Sequence, residues 1–396
     1  MSGAAAVPAR ARLGRVLVVH PAMAPYRIDL FNRLARRCDL RVLFLEAVPP
    51  YDENLRREDM AAGLECDWSV LADECRSPRR ALPGRLRREV ATFAPVALVT
   101  HEFGWASGLS TLTPLAGTRA ARVLWTTRST EQFDRLSAVR RAAIRLLAPR
   151  ANALLAYSSA ARSRLAEMAR IPAERIFVCA NHQDADRLRR LAGATRSAAL
   201  ERCRSLGLSD SPLVVTVGRL VAIKAIATTI RGFAAARDGL QGAVLVIIGD
   251  GPLQADLEAC AREAGVADHV VFLGHMPAAD VQGWLSLASF TVLASLAEPY
   301  GAVVAEGMAH GAPCVCSAAA GAAVLVDTPA RGAVVPPGDV VAMAAALRSR
   351  VSDLSPAARL AAGTRHDLRP LTVEDDVNGF CAAIDRAVAS RGALLA

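Results

Sequence analysis

Two acidic side chains, Glu298 and Glu306, stand eight positions apart in the stretch SLAEPYGAVVAEGMAHGAP. An ionised carboxylate only accepts hydrogen bonds, so a pair of them suits a ligand rich in hydroxyl donors, such as a sugar. Between the two acids, Pro299, Tyr300 and Gly301 read as a loop that becomes a helix through Val303 to Ala309. The free N–H groups and positive dipole end of such a helix start stabilise an anion. Upstream, VTVGRLVAIKA sets Gly218, Arg219 and Lys224 just beyond an apolar run. Glycine there lets a backbone approach closely, and the two cations could grip a pair of phosphates. The turn IIGDGP lies between these stretches, with Gly249 and Gly251 in it. Taken singly, either glutamate could equally cap a helix or pair with an arginine.

Of the 47 basic side chains only Lys224 is a lysine. A GC-rich genome would explain the arginines. A lysine kept at one position suggests a task in which a compact ammonium differs from a planar guanidinium, although chance is an alternative.

The elements that must hold these groups alternate along the chain. RVLVVH (15–20) is an apolar, β-branched run suited to a buried parallel strand, and a helix from about Tyr26 to Arg37 and then LRVLFL follow it. VALVTHE, RVLWTT, ALLAYSS and IFVCAN continue the series, each ending in polar residues. A second series runs through PLVVTVGRL, AVLVIIGDGP, VVFLGH, FTVLAS and APCVCSA. The expected fold class is therefore α/β, with two doubly wound, Rossmann-like domains over 1–185 and 186–372 and a closing helix over 373–396. Two such domains would face an interdomain cleft at the carboxyl ends of their strands, the default ligand position in open α/β sheets.

Composition bounds the alternatives. A chain of 396 residues that is 53% hydrophobic and 21% charged is long and apolar enough for two cores. The best membrane-span candidate, Leu213 to Ile230, contains Arg219 and Lys224, and the N-terminus lacks the apolar core of a signal peptide. A cytoplasmic protein is expected. Nine scattered cysteines suit a reducing compartment. Cys314, Cys316 and the nearby His310 could be read as metal ligands, but APCVCS reads better as a buried strand, and no metal is assigned.

The net charge of +9 is uneven: residues 1–185 hold 28 arginines against 18 acids, a net of +10, while 186–396 net −1. RSPRRALPGRLRREV and RLSAVRRAAIRLLAPR concentrate the excess. In the second, Leu136, Val139, Ala143 and Leu147 fall at helical spacing opposite Arg140, Arg141 and Arg145, as in a helix lying on an anionic membrane or in an ordinary surface helix. No aromatic interleaving accompanies the arginines, so nucleic acid is not an expected partner.

VGRLVAIKA, VIIGDGPLQADLEACARE, VVFLGHMP, the two glutamates and GAVVPPGD together resemble, in order and approximate spacing, the retaining GT-B glycosyltransferases of family 4. The likeness covers most of 213–350 and is looser in the first half, at YSSAARSRL and VCANHQDADRL. It implies a hexosyl-type transfer, with retention, from a nucleotide-diphosphate sugar held by the second domain to a hydroxyl acceptor held by the first. On the matched positions, Arg219 and Lys224 would neutralise the diphosphate beside Gly218. Tyr300, Gly301 and Ala302 would line its helix-start site, Glu306 would hold the ribose hydroxyls, and Glu298 would contact the transferred sugar. Arg219, Lys224 and Glu298 are the catalytic candidates. The resemblance implies front-face attack without an enzyme base, and neither metal nor cofactor beyond the donor itself.

The sequence departs from the family pattern where Ile223 and Val324 replace acids, and where HPAMAPYRIDLF replaces a glycine-rich loop. A strand end that commonly carries a histidine reads LWTTRS, which leaves His101 and Arg128 as acceptor-side candidates. A sugar-nucleotide epimerase-like enzyme, or a non-catalytic sugar-nucleotide or membrane-binding protein, is the alternative. With the basic first domain, peripheral contact with the inner face of the plasma membrane is expected.

Overall fold

Each apolar run named above becomes a strand of a parallel sheet. The computed structural model describes residues 13–47, 57–103, 120–350, 368–369 and 372–390, with the single positions 106, 108 and 110. The described chain forms two compact units. One takes its described residues from Met1–Arg128, Phe133–Asn181 and Val373–Ala396, and the other from Ser129–Gln132 and His182–Thr372.

The first unit carries β1 (Arg15–Ala22), β2 (Asp39–Glu46), β3 (Asp67–Val70), β4 (Ala97–His101), β5 (Ala121–Trp125), β6 (Ala153–Ala156) and β7 (Ile176–Val178). All are parallel, in the order β3-β2-β1-β4-β5-β6-β7. Val16, Val18, Val42, Val99 and Val123 are fully buried, as β-branched residues in a sheet covered on both faces should be. The chain order reverses between β1 and β4, the point at which helices leave toward opposite faces and a crevice opens at the strand ends. The helix expected from Tyr26 to Arg37 is shorter: a 3₁₀ turn at Pro25–Arg27 leads into Ile28–Ala35. Proline fixes the first turn but donates no hydrogen bond, which suits a short lead-in.

The closing helix, Val373–Ala389, packs into this same unit. Val377, Phe380, Ala383, Ile384 and Ala387 join its core, and Asp376 Oδ1 accepts a hydrogen bond from the Ala180 N–H at 2.7 Å. The last expected residues of that helix, 391–396, lie outside the described residues.

The second unit carries β8 (Leu213–Val217), β9 (Val244–Ile248), β10 (Val270–Gly274), β11 (Phe290–Leu293), β12 (Cys314–Ser317) and β13 (Gly332–Val335), again all parallel, in the order β10-β9-β8-β11-β12-β13. Its reversal falls between β8 and β11. Val214, Leu245, Ile247, Phe290, Val292 and Val315 form the centre of its core.

The basic stretch does not keep the apolar face expected of it, because Val139 lies outside that face. In the helix Ala138–Leu147 the buried residues are Ile144 and Leu147, with Leu136 just before it, whereas Val139 is 80% exposed. The apolar face is spent on the core with Ala151, Leu154 and Leu165, and Val139 and Leu146 point outward among the arginines.

Candidate functional site

The polar and glycine-containing segments of the second unit gather where its strand order reverses. β8 ends at Val217, and Gly218 follows, its N–H bonded to Ile248 O at 2.9 Å. The chain then runs through Arg219, which is exposed, into a 3₁₀ turn at Ala222–Lys224. That turn brings the Lys224 side chain back against Gly218, where a Cβ would stand 3.7 Å from the lysine Cδ and Cε. The Lys224 ammonium donates to Glu298 Oε2, and both side chains are mostly buried.

Glu298 lies on the loop after β11, the neighbour of β8 in the sheet. Several contacts hold that loop. The Glu298 N–H bonds Ala319 O, the Gly321 N–H bonds Glu298 O, and the Ala322 N–H bonds Tyr300 O at 2.7 Å. Gly321 is required by space, because a Cβ there would stand 2.3 Å from Pro299 O. Ser295 Oγ also reaches Glu298 Oε2, at 3.4 Å.

Gly301 then opens the helix Ala302–Ala309 with φ of 92°, a left-handed conformation that glycine adopts without a side-chain clash. No side chain caps this start, and the first N–H groups of a helix have no acceptor within it. Tyr300 is buried beside it, its ring edge-on to His182 at 5.8 Å. Gly218, Lys224, Glu298, Tyr300, Gly301 and Ala302 thus lie on two adjoining strand ends. Ile223 and Val324, the apolar replacements, are 43% and 48% exposed.

Glu306, one turn and more into the helix, has other partners. Gln183 Nε2 donates to its Oε1 and Gln282 Nε2 to its Oε2, the latter at 3.1 Å. Burial raises the carboxyl above its ordinary range, while the Gln183 and Gln282 hydrogen bonds and the Arg187 charge pull it back. The two acids therefore differ in kind: one meets an ammonium and the other two amides.

In the first unit the residues at the reversal of strand order are His20, on β1, and His101, ending β4, with ring centroids 4.7 Å apart. Burial pushes His101 down to about 3, with the Arg27 and Arg128 charges acting the same way. His20 is likewise held well below its usual value, first by burial. Burial thus favours the neutral form of both imidazoles. Arg128 Nε lies 2.7 Å from Glu102 Oε2. Glu102, at φ of 62°, also accepts from the Thr127 N–H at 2.9 Å. Sequence reasoning missed His20, Glu102, Gln183 and Gln282. Gln183 carried a faint signal, since it sits in the VCANHQDADRL stretch that resembles the family.

Residues 211–353 match the family model described as Glycosyl transferases group 1. The chain is 31% identical over 299 residues to a GDP-mannose-dependent alpha-(1-6)-phosphatidylinositol monomannoside mannosyltransferase of Mycobacterium tuberculosis, covering 72% of this chain and 75% of that one. It belongs to the group 1 glycosyl transferases. An alpha-D-kanosaminyltransferase of Streptomyces kanamyceticus is 32% identical over 209 residues, and there the match spans only 52% of either chain. Among solved structures, Anabaena Alr3699/HepE in complex with UDP superposes with a TM-score of 0.66 at 18% identity, covering 89% of this chain and 96% of that one. At that identity the likeness is one of fold, and the fold of this group 1 glycosyl transferase is GT-B.

Proposed function

We propose that this group 1 glycosyl transferase moves a hexosyl-type sugar from a nucleotide-diphosphate donor to a hydroxyl acceptor with retention of anomeric configuration, in the manner of family 4. The observation that carries the proposal is the meeting of Lys224, Glu298 and an uncapped helix start on the adjoining ends of β8 and β11. A relative whose name states GDP-mannose dependence and a structural neighbour holding UDP support a nucleotide-linked donor.

On this reading the diphosphate lies against the amides that begin at Gly301 and Ala302, with Lys224 and Arg219 supplying positive charge. An ammonium has three donors, so Lys224 can keep one on Glu298 and offer others to phosphate oxygen. Glu298, held in place by that same contact and by the loop bonds to 319–321, turns its remaining lone pairs to the sugar's hydroxyls. Glu306 takes the ribose hydroxyls. As the glycosidic bond breaks, negative charge grows on the leaving diphosphate, where fixed cations and amide dipoles stabilise it most. The leaving phosphate oxygen accepts the acceptor's proton, so the protein needs to position the attacking hydroxyl rather than deprotonate it. No metal or cofactor is assigned a role. His101 and Arg128, on the first unit, are the proposed acceptor-side contacts, and the outward arginines and Val139 of the helix Ala138–Leu147 the proposed membrane contact.

The test is incubation with a panel of nucleotide sugars and hydroxyl acceptors, with nucleotide diphosphate release and product anomeric configuration measured. Release without an acceptor product would favour the epimerase-like alternative. Glu306→Ala should weaken nucleotide diphosphate binding by about 1.5 to 3 kcal/mol, the contribution of hydrogen bonds to a charged group. Unchanged affinity by calorimetry would remove Glu306 from the donor site.

A further inference from the structure

We propose that Gln183 and Gln282 are positioning residues that hold Glu306 as an ionised group able only to accept hydrogen bonds, and that Arg187 and His310 fix which way the two amides point. The proposal rests on the assignment of Glu306 to the ribose hydroxyls.

A glutamine side chain has one end that donates and one that accepts. The Arg187 guanidinium can only donate, and its Nη2 lies 2.9 Å from Gln183 Oε1. The accepting end of Gln183 is thereby committed, and its NH₂ must face the Glu306 carboxylate, as it does. Gln282 repeats the arrangement from the other side. Its Nε2 faces Glu306 Oε2 at 3.1 Å, and its Oε1 lies 2.9 Å from His310 Nε2, which must then carry the hydrogen. Gln183, Gln282 and His310 are each more than nine-tenths buried, so water does not offer an alternative set of partners.

The surroundings keep this geometry rigid. Asp184, next to Gln183, caps the helix Ala185–Ser205 by accepting from the N–H groups of Asp186 at 2.9 Å and Arg187 at 3.2 Å. Arg187 returns over that first turn to the glutamine four positions earlier. From the opposite end of the unit's sequence, buried Arg369 donates to the Gln183 carbonyl at 2.6 Å. Gln282 lies on the helix Ala278–Leu285 and His310 directly follows the helix that carries Glu306.

The consequence is chemical selectivity. Each carboxylate oxygen receives one amide and keeps a lone pair for a ligand donor. A protonated Glu306, which burial favours, would instead present an O–H. Two donating hydroxyls on neighbouring carbons complete the pattern, and a ribose has them where a 2′-deoxyribose has one.

Calorimetry on the full chain with UDP, GDP, ADP and dTDP, followed by the 2′-deoxy form of whichever ribonucleotide binds most tightly, tests this. The unmodified protein should prefer the ribonucleotide by about ten- to hundredfold, and Glu306→Ala should abolish the preference. Gln183→Met, Gln282→Met and Arg187→Lys should each shrink it by about threefold or more, with the affinity of the deoxy form little changed. In a Glu306→Ala background, Gln183→Met should add nothing. Arg187 reaches Glu306 through Gln183 and also by its charge, and it is less buried, so Arg187→Lys, which keeps the charge but not the guanidinium fork, decides the matter if either glutamine variant fails to fold. A preference lost in Glu306→Ala but intact in the glutamine and arginine variants overturns the positioning role and leaves the donor reading standing. Absence of binding by all four nucleotides, tightest binding of dTDP, or an intact preference in Glu306→Ala overturns the donor reading, and the positioning role with it.

Discussion

Lys224 meets Glu298 while its stem rests on Gly218, a combination that a guanidinium fork, wider and planar, would not reproduce. This gives a physical reason for one lysine among 46 arginines. Its charge should act more strongly on a leaving diphosphate than on bound donor, because charge accumulates there only as the bond breaks. Lys224→Ala is therefore expected to lower kcat by more than it raises the donor KM, and Lys224→Arg to recover little of the loss. Steady-state kinetics at varied donor concentration separates the two effects. A loss lying wholly in KM would mean that the ammonium binds donor and transition state equally.

At the scale of elements, the site depends on how closely loops can lie. Gly321 has an ordinary backbone conformation, yet a methyl group there would meet the Pro299 carbonyl at 2.3 Å and displace the loop that holds Glu298. Gly321→Ala should cost about 1 to 3 kcal/mol in denaturant unfolding, as overpacking does, and should lower activity further than that loss explains. Gly193→Ala is the control: it lies within the helix Ala185–Ser205 with nothing near its added methyl, and should be neutral or stabilising. Activity of Gly321→Ala equal to that of the control would disconnect the loop from the chemistry. The sequence made eleven of these strands readable because each is a continuous apolar run with a polar end. It hid β3, DWSV, and β13, GAVV, which lie at sheet edges and carry partly exposed residues where a central strand would be wholly buried. The likeness to the family marked the two glutamates, but the amides around Glu306 come from positions 123 and 24 residues away, and no local spacing reveals a contact of that kind.

For the molecule as a whole, charge is the property most unevenly shared, with +10 on residues 1–185 and −1 on the remainder. The first unit shows part of this charge on the helices Pro78–Phe93 and Ala138–Leu147, where Arg79, Arg80, Arg87, Arg88, Arg140, Arg141 and Arg145 are exposed. Among the described residues no helix is long and apolar enough to cross a membrane. On the proposed reading, attachment through this unit is electrostatic, aided by the small apolar area of Val139 and Leu146. Each basic side chain near an anionic bilayer contributes roughly 1 kcal/mol, and the attraction fades beyond a Debye length of about 8 Å at physiological salt. Sedimentation with vesicles containing phosphatidylserine should therefore show adsorption at low salt that weakens as salt is raised, and little with neutral phosphatidylcholine vesicles. Arg140→Glu combined with Arg141→Glu should weaken it further, while Val139→Ser should reduce only the part that survives high salt. Equal and negligible binding to both vesicle types would leave these arginines as a solvated surface and point to an acceptor that is not held in a bilayer.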